Sequence, residues 1–380
     1  MSTQIKILGF LALLLFFFSC SKDDDNGGGS LTTIELTGIQ NSPLVLENFI
    51  SNPAVADYTV SGTWTIQAGV EIRPGVTIRM KPGSIIVVEG AGFLSAVGTA
   101  AEPILISGEF STPGYWGYLL VSSNNNNNVL DHVILEYGGG NSSWDATIYC
   151  YLNGRIKIRN SSILSSGQNG IVVYLPDFSL DEFQNNTITN SAKAPIKLHA
   201  HHAAFLDATS TFSNNGNNWV EVFSGQITSN LSWKSLTIPY FFPDVIYVDA
   251  NLNLEPGVRL LMGSNVHFNI SSSGSIRSIG TPETRIQITA AQNTKGYWGG
   301  FRYTNSNNNL NEFQYTDLSY GGGDSSWDAI LYLWDNSRLQ IGNSSVANSQ
   351  RWGIIAGSGN TLIDQGTNVF SGNELGDIQN

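Results

Sequence analysis

The sequence predicts an all-β fold in which short strands wind into a stack of coils, a β-solenoid, with one long internal duplication. Strands of about four to eight residues alternate apolar and polar side chains, with Gly, Asn, Ser or Pro breaks about every eight to twelve residues. The phrase Pro74-Gly75-Val76 returns about 180 positions later as Pro256-Gly257-Val258. Phrases built from Asn and Ser or Thr recur about 25 residues apart, which is the length of one solenoid coil. Together these observations favour a solenoid over a sandwich or a propeller.

The composition indicates a chain with a hydrophobic core and an acidic surface. The 380 residues are 41% hydrophobic and include 18 Phe, 14 Tyr and 9 Trp, which a disordered chain would lack. Two cysteines are too few for a disulfide scaffold. The formal net charge is -12 and Lys and Arg form no run, so a nucleic-acid partner is excluded because phosphate backbones would be repelled.

The first 30 residues predict export. Residues 1–20 form a leader whose apolar stretch is shorter than the roughly 20 residues that span a bilayer. Cys20 follows the small residue Ser19, which resembles the lipobox of bacterial lipoproteins. Residues 21–30 predict a flexible, acidic and Gly-rich tether, and its beginning resembles the export signal of Bacteroidetes surface lipoproteins. The resemblance implies that acylated Cys20 anchors the protein in outer-membrane lipid and that the protein is exposed at the cell surface.

The landmarks divide the remaining chain into four parts. Residues 31–60 are predicted to cap the first coil, because an open solenoid end exposes unpaired strand edges. Residues 61–202 form the first repeat, and residues 246–380 form the second repeat with a C-terminal cap. Residues 203–245 are predicted to be coils that join the repeats. The expected product is one continuous rod of on the order of 14 coils rather than two independent domains.

The Asn-containing phrases predict how successive coils contact one another. Asn160-Ser161-Ser162-Ile163 and Asn185-Asn186-Thr187-Ile188 have the same order of polar and apolar residues. Stacking would place like residues over one another at the strand spacing of about 4.8 Å. We therefore expect ladders of Asn and Ser or Thr side chains at the turns and Ile in the interior.

Several motifs of the first copy return in the second and resemble one family. The motifs are Pro74 to Ile78, Phe93 to Thr99 and Gly114 to Gly117, which return as Pro256 to Leu260, Gly274 to Thr281 and Gly296 to Gly299. This set of motifs resembles the sequences of the right-handed parallel β-helix lipoproteins of bacterial surfaces, over most of residues 60–375. The resemblance implies a right-handed parallel β-helix. It does not choose an activity, because that family includes lyases, glycosidases and adhesins.

The sequence contains no motif of a catalytic centre, and no cofactor is predicted. The histidines are densest at His199-Ala200-His201-His202. On a strand, His199 and His201 would share one face and could hold a transition metal only with a third ligand from an adjoining coil. The preferred interpretation is an exposed polar strand, so no metal site is predicted.

A short basic stripe is predicted on one strand. Arg155, Lys157 and Arg159 alternate with apolar residues, so all three should project from the outer face. In the second copy only Arg338 remains. Such a stripe suits an acidic polysaccharide, whereas the alternative is a solvated face opposed by neighbouring carboxylates.

An alternative function is a polysaccharide lyase or glycoside hydrolase on the same scaffold. Such lyases use carboxylates to neutralise a uronate, often with calcium, and Arg or Lys as the base. The candidates are Asp131, Glu136 and Asp145 with Arg155. This hypothesis predicts that one of the carboxylates lies within about 6 Å of Arg155 on one face.

The preferred ligand-binding site is predicted from aromatic residues that are repeated in both copies. Trp116 and Trp298 belong to the Gly-Tyr-Trp-Gly phrase and are expected to pack between coils, and Cys150 is expected to be a buried, inert thiol. The other repeated tryptophans are flanked by Ser and Asp, and an indole beside a carboxylate suits a sugar. The residues predicted to bind ligand are Trp144, Asp145, Trp327, Asp328, Arg155 and Arg338.

The sequence therefore predicts a surface-anchored lipoprotein that binds extracellular carbohydrate or another polymer and has no catalytic centre. Duplication supports binding, since a binding surface gains from repetition and an active site gains little. A third interpretation, a structural or adhesive spacer, predicts that all four repeated tryptophans are buried.

Overall fold

The computed structural model describes residues 32–50, 52, 54–223 and 225–380; the predicted leader, Cys20 and the tether lie outside the described residues. Within the described part, regular structure is almost entirely β-strand, and the single helix is a 3₁₀ segment, η1 (Ala200–Phe205). The strands pair in parallel and stack in about 14 turns. The predicted all-β fold, a parallel β-helix, is confirmed. Residues 33–380 form one compact unit.

The strands are numbered in chain order. The first part of the chain contains β1 (Ile34–Gln40), β2 (Leu44–Leu46), β3 (Tyr58–Ile66), β4 (Gly69–Ile72), β5 (Thr77–Met80), β6 (Ile85–Val88), β7 (Phe93–Val97), β8 (Ile104–Gly108), β9 (Leu119–Val121), β10 (Val129–Asp131), β11 (Val133–Glu136), β12 (Ala146–Cys150) and β13 (Arg155–Arg159). The middle contains β14 (Ser162–Leu164), β15 (Asn169–Val173), β16 (Ser179–Gln184), β17 (Thr187–Thr189), β18 (Ile196–His199), β19 (Thr211–Ser213), β20 (Val220–Phe223), β21 (Gly225–Ile227), β22 (Leu231–Trp233), β23 (Tyr240–Phe242), β24 (Ile246–Val248), β25 (Asn251–Leu254) and β26 (Arg259–Met262). The last part contains β27 (His267–Ile270), β28 (Ser275–Ile279), β29 (Ile286–Ala290), β30 (Gly300–Thr304), β31 (Glu312–Gln314), β32 (Thr316–Ser319), β33 (Ala329–Trp334), β34 (Arg338–Gly342), β35 (Ser345–Ala347), β36 (Trp352–Ile355), β37 (Thr361–Asp364), β38 (Val369–Ser371) and β39 (Gly376–Gln379).

The coils place these strands in three stacks that run along the rod. Stack I contains β5, β8, β11, β14, β17 and β19 in the first half, and β22, β25, β28, β31, β34 and β37 in the second. Stack II runs without a break from β3 and β6 through β9, β12, β15, β18, β20, β23, β26, β29, β32 and β35 to β38. Stack III contains β2, β4, β7, β10, β13 and β16, then η1, and then β21, β24, β27, β30, β33, β36 and β39.

The interior is filled by the apolar residues of each strand, aligned from coil to coil. Ile163 pairs with Ile188, and Ile188 pairs with Phe212; all three side chains are buried in one continuous core. Alternation along a strand sends the intervening residues to the outside. The core is therefore a one-dimensional column in which each residue packs mainly on its neighbours in the coils above and below.

The corners are held by the ladders that the sequence predicts. Asn160 and Asn185 both adopt a left-handed backbone conformation, which Asn tolerates better than most residues. Behind them, the Ser161 amide donates to the Asn186 side chain at 3.1 Å, and the Asn186 amide donates to Ser210 Oγ at 3.1 Å. The Asn186 side chain also donates to a buried carbonyl of the preceding coil. The ladder satisfies backbone groups that would otherwise be unpaired in the core.

The duplicated halves join through coils beyond which the equivalent strands of the second copy lie in a different stack from those of the first. If the strands of each coil are counted from the position of the repeated Pro-Gly-Val motif, stack II holds the second strand of each coil in the first half, such as β15. Beyond β20, stack II holds the first strand of each coil, such as β26. Trp233 and Phe242 stack in the interior of this junction, with ring centres 5.5 Å apart. The second copy is therefore turned about the rod axis by one stack relative to the first.

The ends of the described rod differ from its middle. Residues 31–60 are predicted as a cap, and the structure shows that β1 and β2 pair in parallel with β3 and β4, so this segment contributes the first coil itself. At the other end Leu362, Phe370 and Ile378 pack against the core but are only partly buried. Both terminal coils therefore present strand edges with no further coil beside them among the described residues.

Candidate functional site

An aromatic cluster covers the outside of stack II in the first copy. Tyr149 projects outward between the core residues of β12 and packs with Ala146 and Val172 in a small apolar cluster separate from the main core. Trp144 lies against Tyr149 with ring centres 4.7 Å apart. Tyr151 also packs against this cluster. We name the surface formed by Trp144, Tyr149, Tyr151, Val172 and Tyr174 platform 1.

Platform 1 extends along stack II toward the junction. Tyr174 is 45% exposed, and its ring stacks on Phe223 with centres 5.7 Å apart. The Lys197 ammonium lies 5.6 Å from the centre of the Phe223 ring and 3.3 Å from a carboxylate oxygen of Glu221. The result is a strip of rings, several of them accessible, that crosses successive coils and ends in a cation and a carboxylate.

The second copy has an equivalent surface on stack III. Tyr332 and Trp334 project outward from β33, at the places that Tyr149 and Tyr151 occupy on β12, and their rings stack with centres 6.4 Å apart. Trp327 packs edge-on against Tyr332 at 4.9 Å. We name the surface formed by Arg302, Trp327, Tyr332, Trp334 and Ile355 platform 2.

A groove borders platform 2. It has a volume of about 650 Å³ and is lined by Tyr332, Trp334, Ile355 and Asn360 among others. Trp334 is 54% exposed, so one face of its indole is open to solvent. The groove thus combines apolar ring surface with the polar edge of a neighbouring corner, which is the composition of a small-molecule binding site.

Ion pairs lie beside the two predicted indole and carboxylate sites. Asp145 accepts a hydrogen bond from the Asn169 side chain at 3.1 Å and lies 3.9 Å from the Lys193 ammonium. In the second copy Asp328 lies 3.0 Å from the Arg351 guanidinium. Both carboxylates are partly exposed. Each platform therefore offers a hydrogen-bond acceptor and a cation next to its tryptophan.

A buried arginine distinguishes platform 2 from platform 1. Arg302 is only 8% exposed and occupies the place of Leu120 in the first copy. Its guanidinium lies 5.1 Å from the centre of the Trp327 ring and forms an ion pair with Asp324. Burial lowers the pKa of Arg302, although Asp324 opposes this effect. The cation and ring attract one another, so Arg302 holds the Trp327 indole against the coil.

The other two predicted ligand residues lie on neighbouring faces. Arg155 follows Tyr151 around a corner and lies on β13 in stack III, where its Nε is 2.9 Å from Asp181. Arg338 follows Trp334 in the same way and lies on β34 in stack I. The structure therefore brings together each tryptophan and aspartate but places both arginines around the corner from them.

The basic stripe of β13 projects outward as predicted, and carboxylates oppose it. Arg159 Nε donates to Asp131 at 2.8 Å, and Lys157 lies 3.9 Å from Glu182. Burial of Asp131 raises its pKa, but hydrogen bonds from Asn160 and Arg159 outweigh this and lower it overall. The stripe is therefore largely neutralised within the protein.

The carboxylates of the lyase hypothesis lie in three different stacks. Asp131 is on β10 in stack III, Glu136 is on β11 in stack I, and Asp145 precedes β12 in stack II. The Glu136 carboxylate accepts a hydrogen bond from the Ser107 hydroxyl. Among the described residues, Arg155 forms a salt bridge with Asp181 and with none of these three carboxylates. Asp131 shares stack III with Arg155, but its strand partner there is Arg159.

The histidine cluster differs from the prediction. Only His199 belongs to a strand, because η1 begins at the next residue. His202 is fully buried rather than exposed, and its Nε2 lies 2.8 Å from the Leu175 carbonyl. Burial lowers the pKa of His202 to about 4. Within the described residues, no group of three or more His, Cys, Asp or Glu side chains could hold a metal ion.

The remaining predicted residues are structural. Trp116 and Trp298 are fully buried, and their indole nitrogens donate to the carbonyls of Glu136 at 2.7 Å and Ser319 at 2.9 Å. Their expected packing role is confirmed. Cys150 is a free, buried cysteine whose burial raises its pKa, in agreement with the prediction of an inert thiol. Only two of the four repeated tryptophans are thus buried.

The outward aromatics of β12 and β33 were missed by the sequence analysis. Tyr149 and Tyr151 stand in an apolar run with Ile148 and Cys150, which resembles a strand buried on both faces. The available signal was the conservation of aromatic character at alternate positions of both copies. Tyr149 corresponds to Tyr332, whereas the inward Cys150 corresponds to a leucine.

No protein-family profile, curated protein or solved structure matches this chain. Among the described residues, no helix combines the length and the hydropathy needed to cross a bilayer.

Proposed function

We propose that this protein binds extracellular carbohydrate through platforms 1 and 2. The observation that supports this function is the recurrence of two outward aromatic side chains, Tyr149 and Tyr151 in one copy and Tyr332 and Trp334 in the other. A sugar ring has an apolar face that packs on an aromatic ring and hydroxyls that need hydrogen-bonding partners. Each platform supplies both, since a paired carboxylate lies next to its tryptophan.

The dimensions of the surfaces favour a polymer over a free monosaccharide. Platform 1 crosses several coils, and the rings of Tyr174 and Phe223 continue it along stack II. The groove beside platform 2 is lined by residues from two successive coils, at β33 and β36 and the corners that follow them. Extended surfaces of this kind suit a chain of sugars, in which successive units contact successive coils.

The proposed location is the bacterial outer membrane, with Cys20 acylated and the solenoid exposed at the surface of a Bacteroidetes-type cell. The support is the sequence of the leader and of the acidic tether. Replacement of Cys20 by Ala should release the protein from membranes, and retention would contradict the anchor. Protease treatment of intact cells should digest the solenoid, whereas protection would contradict surface exposure.

Native affinity electrophoresis tests binding. The chain from residue 21 onward is run through gels cast with neutral and uronate-rich polysaccharides, and the gels are then stained for polymer. Binding predicts retardation in at least one gel. Trp334→Ala should weaken binding at platform 2 about tenfold and so reduce retardation, since an exposed aromatic contact contributes on the order of 1.4 kcal/mol; platform 1 should keep the band partly retarded. Phe110→Ala is the control, because Phe110 is also a strongly exposed aromatic residue and belongs to neither platform.

The same gels separate binding from cleavage. A cleared zone around the band would mean that the polymer is cut, and would replace the proposal by a lyase or glycoside hydrolase. Replacement of Asp131, Asp145 and Arg155 would then identify the responsible groups. Unretarded migration in every gel would contradict carbohydrate binding and would favour a structural spacer.

A further inference from the structure

The two platforms belong to different stacks, although they occupy equivalent places in the duplicated sequence. Platform 1 lies on β12 and β15, whose stack continues through β18, β20 and β23 to β32. Platform 2 lies on β30, β33 and β36, in the sheet that runs from β21 to β39. Strands β32 and β33 follow one another within a single coil. The platforms therefore occupy neighbouring faces of the rod.

Their separation follows from the strand ladder. Stack II takes seven pairings to pass from β12 to β32, which at about 4.8 Å per strand is roughly 35 Å along the rod axis. The passage from β32 to β33 adds one corner, or about a third of a turn when three strands complete a coil. The two platforms thus differ both in height and in direction.

This arrangement prevents one straight polymer from using both platforms. A chain that follows stack II from platform 1 reaches Phe241 on β23 and then Leu261 on β26, and it remains one face away from Trp334. To reach platform 2 it would have to bend around the corner between β32 and β33. Linked sites raise affinity for one ligand only when the geometry permits simultaneous contact.

We propose that the two platforms hold two separate polysaccharide chains, so that one protein molecule cross-links them. This inference rests on the proposed carbohydrate-binding function. In this inference the duplication serves to hold two chains, rather than to raise the affinity for a single chain. The partner is a pair of extended glycan chains that cross the rod on neighbouring faces, as in a surface matrix of polysaccharide.

A sandwich capture experiment tests the inference. Beads coated with barley β-glucan or with alginate are saturated with protein and washed, and the same polysaccharide carrying a fluorophore is then added in solution. Cross-linking predicts that protein-coated beads capture the fluorescent chain. Tyr174→Ala weakens platform 1 and Trp334→Ala weakens platform 2, both at exposed side chains. Each variant should still load on beads through its intact platform, yet its capture of the second chain should fall about tenfold, because only the weakened platform remains free to bind it.

The outcomes separate this inference from the proposed function. Loading on beads without capture of the fluorescent chain by the unaltered protein would overturn cross-linking while leaving carbohydrate binding intact. Capture that persists undiminished in both single variants would also overturn it, because self-association of the protein would then link the chains. Failure to load on either kind of bead would contradict binding itself, together with this inference. Phe110→Ala should behave as the unaltered protein.

Discussion

Acidification from pH 7.5 to pH 5 should destabilise the protein through one buried histidine. His202 is packed inside the coil at η1, and its Nε2 lies 2.8 Å from the Leu175 carbonyl, which fits a neutral ring that donates there. The other ring nitrogen is buried and has no hydrogen-bond partner within the described residues. Protonation would thus place an unpaired N–H and a positive charge near His199 and His201 in the interior.

The magnitude follows from the pKa of the folded state. Burial lowers the pKa of His202 from 6.5 to about 4. The unfolded chain therefore binds more protons than the folded chain between these values, so stability is complete above pH 6.5 and falls as the pH drops toward 4. The free energy of unfolding should decrease by about 2 kcal/mol at pH 5 and by about 3 kcal/mol once the folded state is also protonated.

Two measurements check this prediction. The chain has five histidines, so NMR spectra of protein labelled at the imidazole carbons can follow each ring separately during a pH titration. Urea denaturation at pH 5 and pH 7.5 gives the change in stability. His202→Gln keeps a side-chain amide that can donate to Leu175 but cannot be protonated, so it should remove the share of the pH dependence that comes from His202; burial also lowers the pKa of His199 and of His267, and their share should remain.

A matched replacement excludes a general effect of histidine loss. His201→Gln alters a partly exposed neighbour in the same helix and should leave most of the pH dependence in place. The reasoning would be refuted if His202 titrated near pH 6.5, or if the His202→Gln protein lost as much stability on acidification as the unaltered protein.

Three further predictions concern buried groups. Cys150 should resist iodoacetamide in the native protein at pH 8 and react after denaturation, because burial raises the pKa of its thiol; rapid native alkylation would contradict this. Trp298→Phe should lower the free energy of unfolding by about 2 kcal/mol, since it leaves the Ser319 carbonyl unpaired, whereas Trp327→Phe should cost less than about 0.5 kcal/mol; equal losses in urea denaturation would contradict the assignment. Asn186→Ala removes two buried hydrogen bonds of the ladder and should lower the free energy of unfolding by about 3 kcal/mol. An unchanged melting temperature of this variant would contradict a stabilising role of the ladder.

The fold could be predicted from sequence because its determinants are local and repeated. Ile163 and Ile188 follow the same polar phrase one coil apart, and the structure pairs them directly. The turn of the second copy about the rod could not be predicted in this way. It depends on which strand of one coil pairs with which strand of the next, as in the pairing of Val220 with both Ile196 and Tyr240. Motifs aligned along the sequence do not contain that information.

The candidate site could be predicted only in part. Trp144 and Trp327 stand out because they occur in turns beside Asp, and the structure leaves both partly exposed. Tyr149 and Tyr332 lie in strands with apolar residues on both faces, where the period of two residues that distinguishes inside from outside is lost. Their outward direction becomes visible only when the parallel register identifies the inward positions.

The connecting coils determine the angle between the two platforms about the rod axis as well as the distance between them along it. Because each strand and its corner add about a third of a turn, gain or loss of roughly eight residues there would redirect the second platform to another face while every coil could still pair. Gain of a whole coil would change the spacing along the axis and leave the direction unaltered. Insertions and deletions in this segment would therefore tune the geometry of the duplicated surfaces in discrete steps, without any substitution in the surfaces themselves.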